Sequence, residues 1–173
     1  MKTKTQKTPS KQAPRGAQST TAAASARGLA EAEIAALRRS QAMIAFTPKG
    51  EILDANENFL KVMGYALDEV VGRHHRMFVD PTHAATEEYA GFWRALGAGE
   101  FQVAEFRRLA RGGREVWIQG SYNPVFDAAG RVQRVVKVAT DITEQSAANA
   151  DARGQVAAIR RSQAVIEFTL DGA

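Results

Sequence analysis

A seventeen-residue segment of this chain is written twice, and no other feature constrains its architecture as strongly. Residues 34–50 read IAALRRSQAMIAFTPKG, and residues 156–172 read VAAIRRSQAVIEFTLDG. Eleven of the seventeen positions are identical, at an offset of 122 residues. A fixed internal period is the signature of a modular array. The first copy opens a stretch long enough to bury a core, and the second stands at the end of the 173 residues. The expectation is one whole module, a connector, and at 165–173 the truncated start of a second repeat. A longer protein is implied, with an output domain beyond Ala173.

Composition matters here mainly for what it removes. There is no cysteine, so disulfides, thiolate metal sites, cysteine nucleophiles and redox thiols are excluded. No apolar run approaches the roughly 18 residues of a membrane span, and none resembles a secretory core. A cytoplasmic protein without a membrane span is expected. The net charge of +4 is uneven. Residues 1–28 hold six basic residues and no acid, so residues 29–173 carry 4 − 6 = −2. The tail 1–28, basic and without aromatics, reads as disordered. The remainder has no basic surplus with which to hold nucleic acid. The motifs of P-loop, metalloprotease and serine-hydrolase chemistry are absent.

Residues 29–43 predict a helix with an apolar seam at Ala30, Ile34, Leu37, Gln41 and Ile44, suited to a partner helix. Short apolar runs at 44–48 and 51–55 flank Pro48-Lys49-Gly50 and predict a hairpin. Asn56 and Gly64 bracket a short helix. One helix is expected from Thr82 to Leu96, with Tyr89, Phe92, Trp93 and Leu96 on one face. Strands at 101–109, 115–126 and 131–140 form a meander. A connector helix at 144–164 follows, its start capped by Asp141 or Thr143. The fold class is α+β: a five-stranded antiparallel sheet made from the hairpin and the meander, with helices over one face and room for a cavity beneath them. Residues 44–143 suffice for the domain.

This order resembles the PAS domain family. The resemblance rests on Ile52-Leu53-Asp54-Ala55-Asn56-Glu57-Asn58-Phe59, Gly64-Tyr65, Asp68-Glu69-Val70-Val71-Gly72, the Arg111-Gly112-Gly113-Arg114 turn, Val116-Trp117-Ile118 and Asp141-Ile142-Thr143. Arg73-His74-His75-Arg76-Met77-Phe78, Phe92-Trp93 and Tyr122-Asn123-Pro124 look like the PAS domains of bacterial methyl-accepting chemotaxis receptors, the aerotaxis type included. Such a resemblance implies a sensory module of a tandem-PAS receptor for redox state or oxygen. It also implies a homodimer through helices 29–43 and 144–164, a downstream signalling domain and a chemotaxis kinase as partner. FAD is the favoured cofactor, with Arg73 and His74 as its basic pair, Trp93 and Trp117 as walls and Ser121 as polar contact. Without a thiol, a flavin–cysteinyl photoadduct is excluded. Haem b, ligated by His74 or His75, is the second option, and a cofactor-free interaction module is the third. Asp141 and Thr143 are expected to couple the sheet to the outgoing helix, Asp141 by pairing with a basic residue.

Each of these residues also has a plain structural role to fill. The histidines would pack a short turn, Trp93 would sit in the core, and Asp141 and Thr143 would cap a helix. Trp117, Gln119, Ser121 and Asn123 share one face of their strand, and Ile118, Gly120 and Tyr122 share the other. Alternation alone leaves open which face looks inward.

Overall fold

The computed structural model describes residues 15–162, so residues 163–172 of the second copy of the repeat fall outside the described residues, as do tail residues 1–14. The chain divides at Arg39 into a helical arm and a body. The arm is α1, Arg15–Ser40. It starts well before the expected residue 29 because the segment is rich in alanine, the strongest helix former. The assignment of 15–28 to a disordered tail is corrected accordingly.

The body begins with the hairpin β1 (Ala42–Phe46) and β2 (Ile52–Ala55). Its turn needs Gly50 on two counts. Its φ is +90°, and a Cβ there would lie 2.8 Å from the Trp93 ring and 2.9 Å from His74 Nε2. Asn56 then caps α2 (Glu57–Met63). Its Oδ1 accepts from Phe59 N and Met43 N, and its Nδ2 donates to the Gln41 carbonyl, so one side chain fixes both the helix start and β1. Gly64 closes α2 in the left-handed conformation. Next come α3 (Leu67–Val70) and a 3-10 turn over His75–Phe78.

The single helix expected over Thr82–Leu96 is two, α4 (Pro81–Ala84) and α5 (Glu87–Gly97). Asp80 caps the first, ahead of Pro81, and Thr86 caps the second by accepting from Tyr89 N. Two cap residues six apart stop one helix and start another. The meander follows as β3 (Gln102–Leu109), β4 (Glu115–Phe126) and β5 (Val132–Asp141). The connector is α6, Thr143–Ser162; its expected last residues lie outside the described ones.

All five strands join one antiparallel sheet in the order β2-β1-β5-β4-β3. The expected pairing of hairpin and meander is therefore observed, through β1 and β5. Along β4, Val116, Ile118, Gly120 and Tyr122 are buried, whereas Trp117, Ser121 and Asn123 are half-buried and Gln119 is exposed. The inward face is thus the one carrying Tyr122. With Phe46, Phe59, Phe78, Trp93 and Leu96 it forms a continuous core, at about 1.5–3 kcal/mol for each fully buried large side chain.

Candidate functional site

The core contains two cations. Lys137 of β5 is 1% exposed and Arg108 of β3 is 7% exposed. Lys137 faces Tyr122 directly across the β4–β5 ladder, and its Nζ donates to the Tyr122 hydroxyl at 2.9 Å. Arg108 Nη2 donates to the same hydroxyl at 3.2 Å. Gly120 makes this possible: a Cβ there would stand 2.9 Å from Lys137 Cε. Neither cation forms an ion pair among the described residues. Rings compensate them instead. Lys137 Nζ lies 4.6 Å from the Tyr122 centroid and 5.4 Å from that of Phe106, and the Arg108 guanidinium lies 4.6 Å from Phe106. Desolvated contacts of this kind contribute about 2 kcal/mol each, less than the several kcal/mol that burying an ion costs. Burial accordingly holds Lys137 below the ordinary lysine range, against the pull of Tyr122.

His75 completes the cluster. It is 1% exposed, with Nε2 2.9 Å from the Tyr122 hydroxyl and Nδ1 2.9 Å from the Tyr89 hydroxyl. Burial first, then Arg108 and Lys137, keep it far below the usual histidine range, so it is neutral. Because Tyr122 accepts from both cations, its own proton goes to His75 Nε2, and Nδ1–H donates to Tyr89. Burial alone raises the Tyr122 hydroxyl, but Lys137 and Arg108 outweigh it and bring it down. Burial pushes Tyr89 up to about 12. Loss of one proton from the cluster would leave a Tyr122 phenolate, the Nε2–H tautomer of His75 and Tyr89 donating to Nδ1. Phe46, Phe92 and Phe106 surround Tyr122 at centroid distances of 6.2, 4.9 and 5.3 Å.

The expected site residues divide sharply against this geometry. Trp93 belongs to the cluster, edge-on to Phe46 and His75 at 5.4 Å each. Arg73 is exposed, and its carbonyl accepts from Ile52 N. His74 ties two loops together: Nε2–H donates to the Lys49 carbonyl at 2.8 Å, and Nδ1 accepts from Arg76 N at 3.1 Å. Trp117 and Ser121 stand on the sheet face away from the cluster, so they do not wall an interior pocket with Trp93. The alternation that left their face open is resolved by Gly120 and Tyr122 pointing inward.

Asp141 and Thr143 form a junction. The Thr143 hydroxyl accepts from Trp117 N at 3.0 Å and donates to Asp141 Oδ1 at 2.5 Å. Asp141 Oδ1 also accepts from Thr143 N, and Ile142 N donates to the Trp117 carbonyl. These bonds staple β4, the end of β5 and the first turn of α6. Asp141 pairs with Thr143 and, among the described residues, with no basic side chain, so its expected basic partner is replaced by a hydroxyl.

The interior fits neither expected cofactor in this arrangement. Tyr122, Lys137, Phe46 and His75 fill the space between α5 and the sheet, and both nitrogens of His75 and of His74 are already hydrogen-bonded. No cluster of metal-ligating residues occurs among the described residues, and no helix there is long and apolar enough to cross a membrane. Open space adjoins the buried cluster at the sheet edge. A cleft of about 480 Å³ runs between α5 and β3, lined by Tyr89, Phe92, Ala104, Phe106 and Arg108. A second of about 230 Å³ adjoins it and shares His83, Glu105, Phe106 and Arg108.

Sequence reasoning did not single out Arg108, Lys137, Tyr122 or Tyr89 as a site. One signal was present. Lys137 interrupts the apolar run Val135-Val136-Lys137-Val138-Ala139, and a charge in such a run marks either an edge strand or a buried ion. The central place of β5 makes it the latter.

Comparison with known proteins agrees with this fold. A family profile described as the PAS fold matches residues 37–147. The biofilm dispersion protein BdlA of Pseudomonas aeruginosa is 44% identical over 139 residues, covering 80% of this chain and 33% of that protein. The oxygen sensor protein DosP of Escherichia coli is 26% identical over 103 residues, covering 60% of this chain and 13% of its own length. The chain thus spans about a third or less of these two relatives. A solved structure described as "Flavin Analogue Sheds Light on Light-Oxygen-Voltage Domain Mechanism" superposes with a TM-score of 0.56 at 25% identity, covering 72% of this chain and 94% of that one.

Proposed function

Because the chain belongs to the PAS fold family, we propose that it works as the sensory module of a larger signalling protein, relaying a change in its interior to α6 without catalysing a reaction. The observation that carries this reading is the shared wiring of two strands. Lys137 and Asp141 lie four residues apart on β5, one in the buried cluster and one at the junction. Tyr122 and Trp117 are likewise on one strand, β4. A change in the hydrogen bonds at Tyr122 alters how β4 and β5 lie against each other. Those two strands hold the first turn of α6 through Thr143. The outgoing helix is thereby biased between two arrangements, which is what a switch requires.

In the whole protein, α1 and α6 would pair across a homodimer, and a following repeat and signalling domain would read the helix position. A receptor that engages a chemotaxis kinase is the output this reading favours, from the likeness of the Arg73–Phe78 segment to chemotaxis-receptor PAS domains. Flavin-based redox sensing is the second reading, favoured by the likeness to a Light-Oxygen-Voltage domain. It requires Tyr122 and Lys137 to leave the interior. A flavin absorbance spectrum in freshly purified protein would support it.

The relay is tested by amide hydrogen exchange on wild type and Tyr122→Phe. Changed protection over residues 142–150, remote from the lost hydroxyl, is the expected result. Change confined to the residues around His75 and Lys137 would overturn the relay.

A further inference from the structure

We propose that the cleft between α5 and β3 binds a small monocarboxylate with an apolar body, its carboxylate held by Arg108. This rests on the sensory reading and names the class of signal. Three observations carry it. First, the module buries two cations around one hydroxyl, and no carboxylate among the described residues neutralises them. Second, Arg108 is the one of the two that lines both clefts, and its Nε, itself shielded from solvent, has no acceptor among the described residues. Turning the guanidinium so that its Nε–Nη2 edge faces the cleft would let it take a carboxylate in a bidentate manner and would give Nε the acceptor it lacks. Third, the cleft suits only part of an anion. Tyr89, Phe92, Ala95, Ala104 and Phe106 supply apolar walls, and a volume of about 480 Å³ is in the ordinary range for small-ligand sites.

The rim sets the specificity. Glu88 and Glu105 line the larger cleft, and Asp80 and Glu105 the smaller. A multiply charged anion such as citrate or inorganic phosphate would meet these carboxylates with charge left over. A monocarboxylate spends its single charge on Arg108 and presents carbon to the walls and rim. Engaging Arg108 would also draw Nη2 from the Tyr122 hydroxyl and leave that hydroxyl to Lys137 and His75. The ligand would thereby act on the proposed relay.

The test is calorimetric titration and thermal unfolding of the whole chain with benzoate, phenylacetate and hexanoate, beside citrate and phosphate. Saturable binding of at least one monocarboxylate is expected, with Tm raised by about 4 °C at ten times Kd. Citrate and phosphate should bind at least tenfold more weakly. Arg108→Gln should weaken binding roughly 10- to 100-fold, with only partial recovery in Arg108→Lys, which keeps the charge but loses the fork. Glu105→Gln should strengthen citrate relative to benzoate. No saturable binding of any monocarboxylate to the wild type overturns the proposal, as does equal or tighter binding of phosphate. Hydrogen exchange on the same samples separates the two claims. Binding without change in α6 would sink the relay and leave the site. No binding, with α6 still responding to Tyr122→Phe, would sink the site and leave the relay.

Discussion

The two faces of β4 differ in kind although their residues alternate along one strand. The inward face carries Tyr122 and, through Gly120, makes room for Lys137. It is buried and aromatic and carries two cations, and Lys137, Arg108 and His75 all bond the Tyr122 hydroxyl. The outward face carries the side chains of Trp117, Ser121 and Asn123; the Trp117 backbone meets the chain's exit at Ile142 and Thr143, while Asn123 Nδ2 donates within the sheet to Ser121 and the Val136 carbonyl. One face has the costly charges and the other has the mechanical link. The contrast places reception and output on opposite sides of a single layer, joined by the backbone of β4 and β5.

The largest expected effect breaks the inward face. Tyr122→Ala removes a fully buried ring and strands Lys137, Arg108 and His75 without their shared partner. A loss of about 4 kcal/mol is expected in denaturant unfolding. Tyr122→Phe, which keeps the ring, should cost about 2 kcal/mol. Lys137→Met should move the other way. It replaces a buried cation that has no carboxylate partner by an apolar chain of similar reach, and a gain of about 1–2 kcal/mol near pH 7 is expected from urea unfolding.

The pH dependence sharpens the contrast. His75 is held neutral, so its folded pKa lies below its unfolded value near 6.5. Below that value the unfolded chain binds a proton that the native cluster refuses. The stabilising contribution is therefore complete above about pH 6.5 and falls as the pH drops through and below it, at up to about 1.4 kcal/mol per pH unit. Half-buried His74 is shifted downward too, by burial and Arg76, and adds in the same direction. His75→Gln should flatten most of the slope between pH 6.5 and 5, measured as ΔG of unfolding against pH.

The outward face should respond least in stability. Thr143→Ala removes a hydroxyl that bridges Trp117 and Asp141 and should cost about 1 kcal/mol, visible as faster amide exchange in the first turn of α6. Ser121→Ala should stay within about 0.5 kcal/mol, measured by the same unfolding curves.

The elements were legible because their punctuation is local. Asn56 and Gly64 cap α2, Gly50 turns the hairpin, and Asp141-Ile142-Thr143 marks the start of α6. The break between α4 and α5 was missed because Thr86 caps within an otherwise helical pattern. The site was less legible for a different reason. Arg108, Lys137, Tyr89 and His75 meet only through strand register and side-chain reach, with Lys137 opposite Tyr122 and Gly120 opening the space between. Alternation names two faces of β4 without saying which is buried, so Trp117 and Ser121 read as pocket residues as readily as Tyr122. His74 and His75 show the same limit: neighbours in sequence, one ties loops at the surface and the other is the hub of the interior.

The central claim is that the inward face of the sheet controls the start of α6. The most direct measurement is a comparison of ¹H–¹⁵N spectra of wild type and Lys137→Met, which changes the interior without touching the junction. The account predicts shifts at Tyr122 and His75 that continue to Trp117, Ile142 and Thr143 and into the first turns of α6. Shifts that stop at the residues touching Lys137, with Trp117 and Thr143 unmoved, would contradict it.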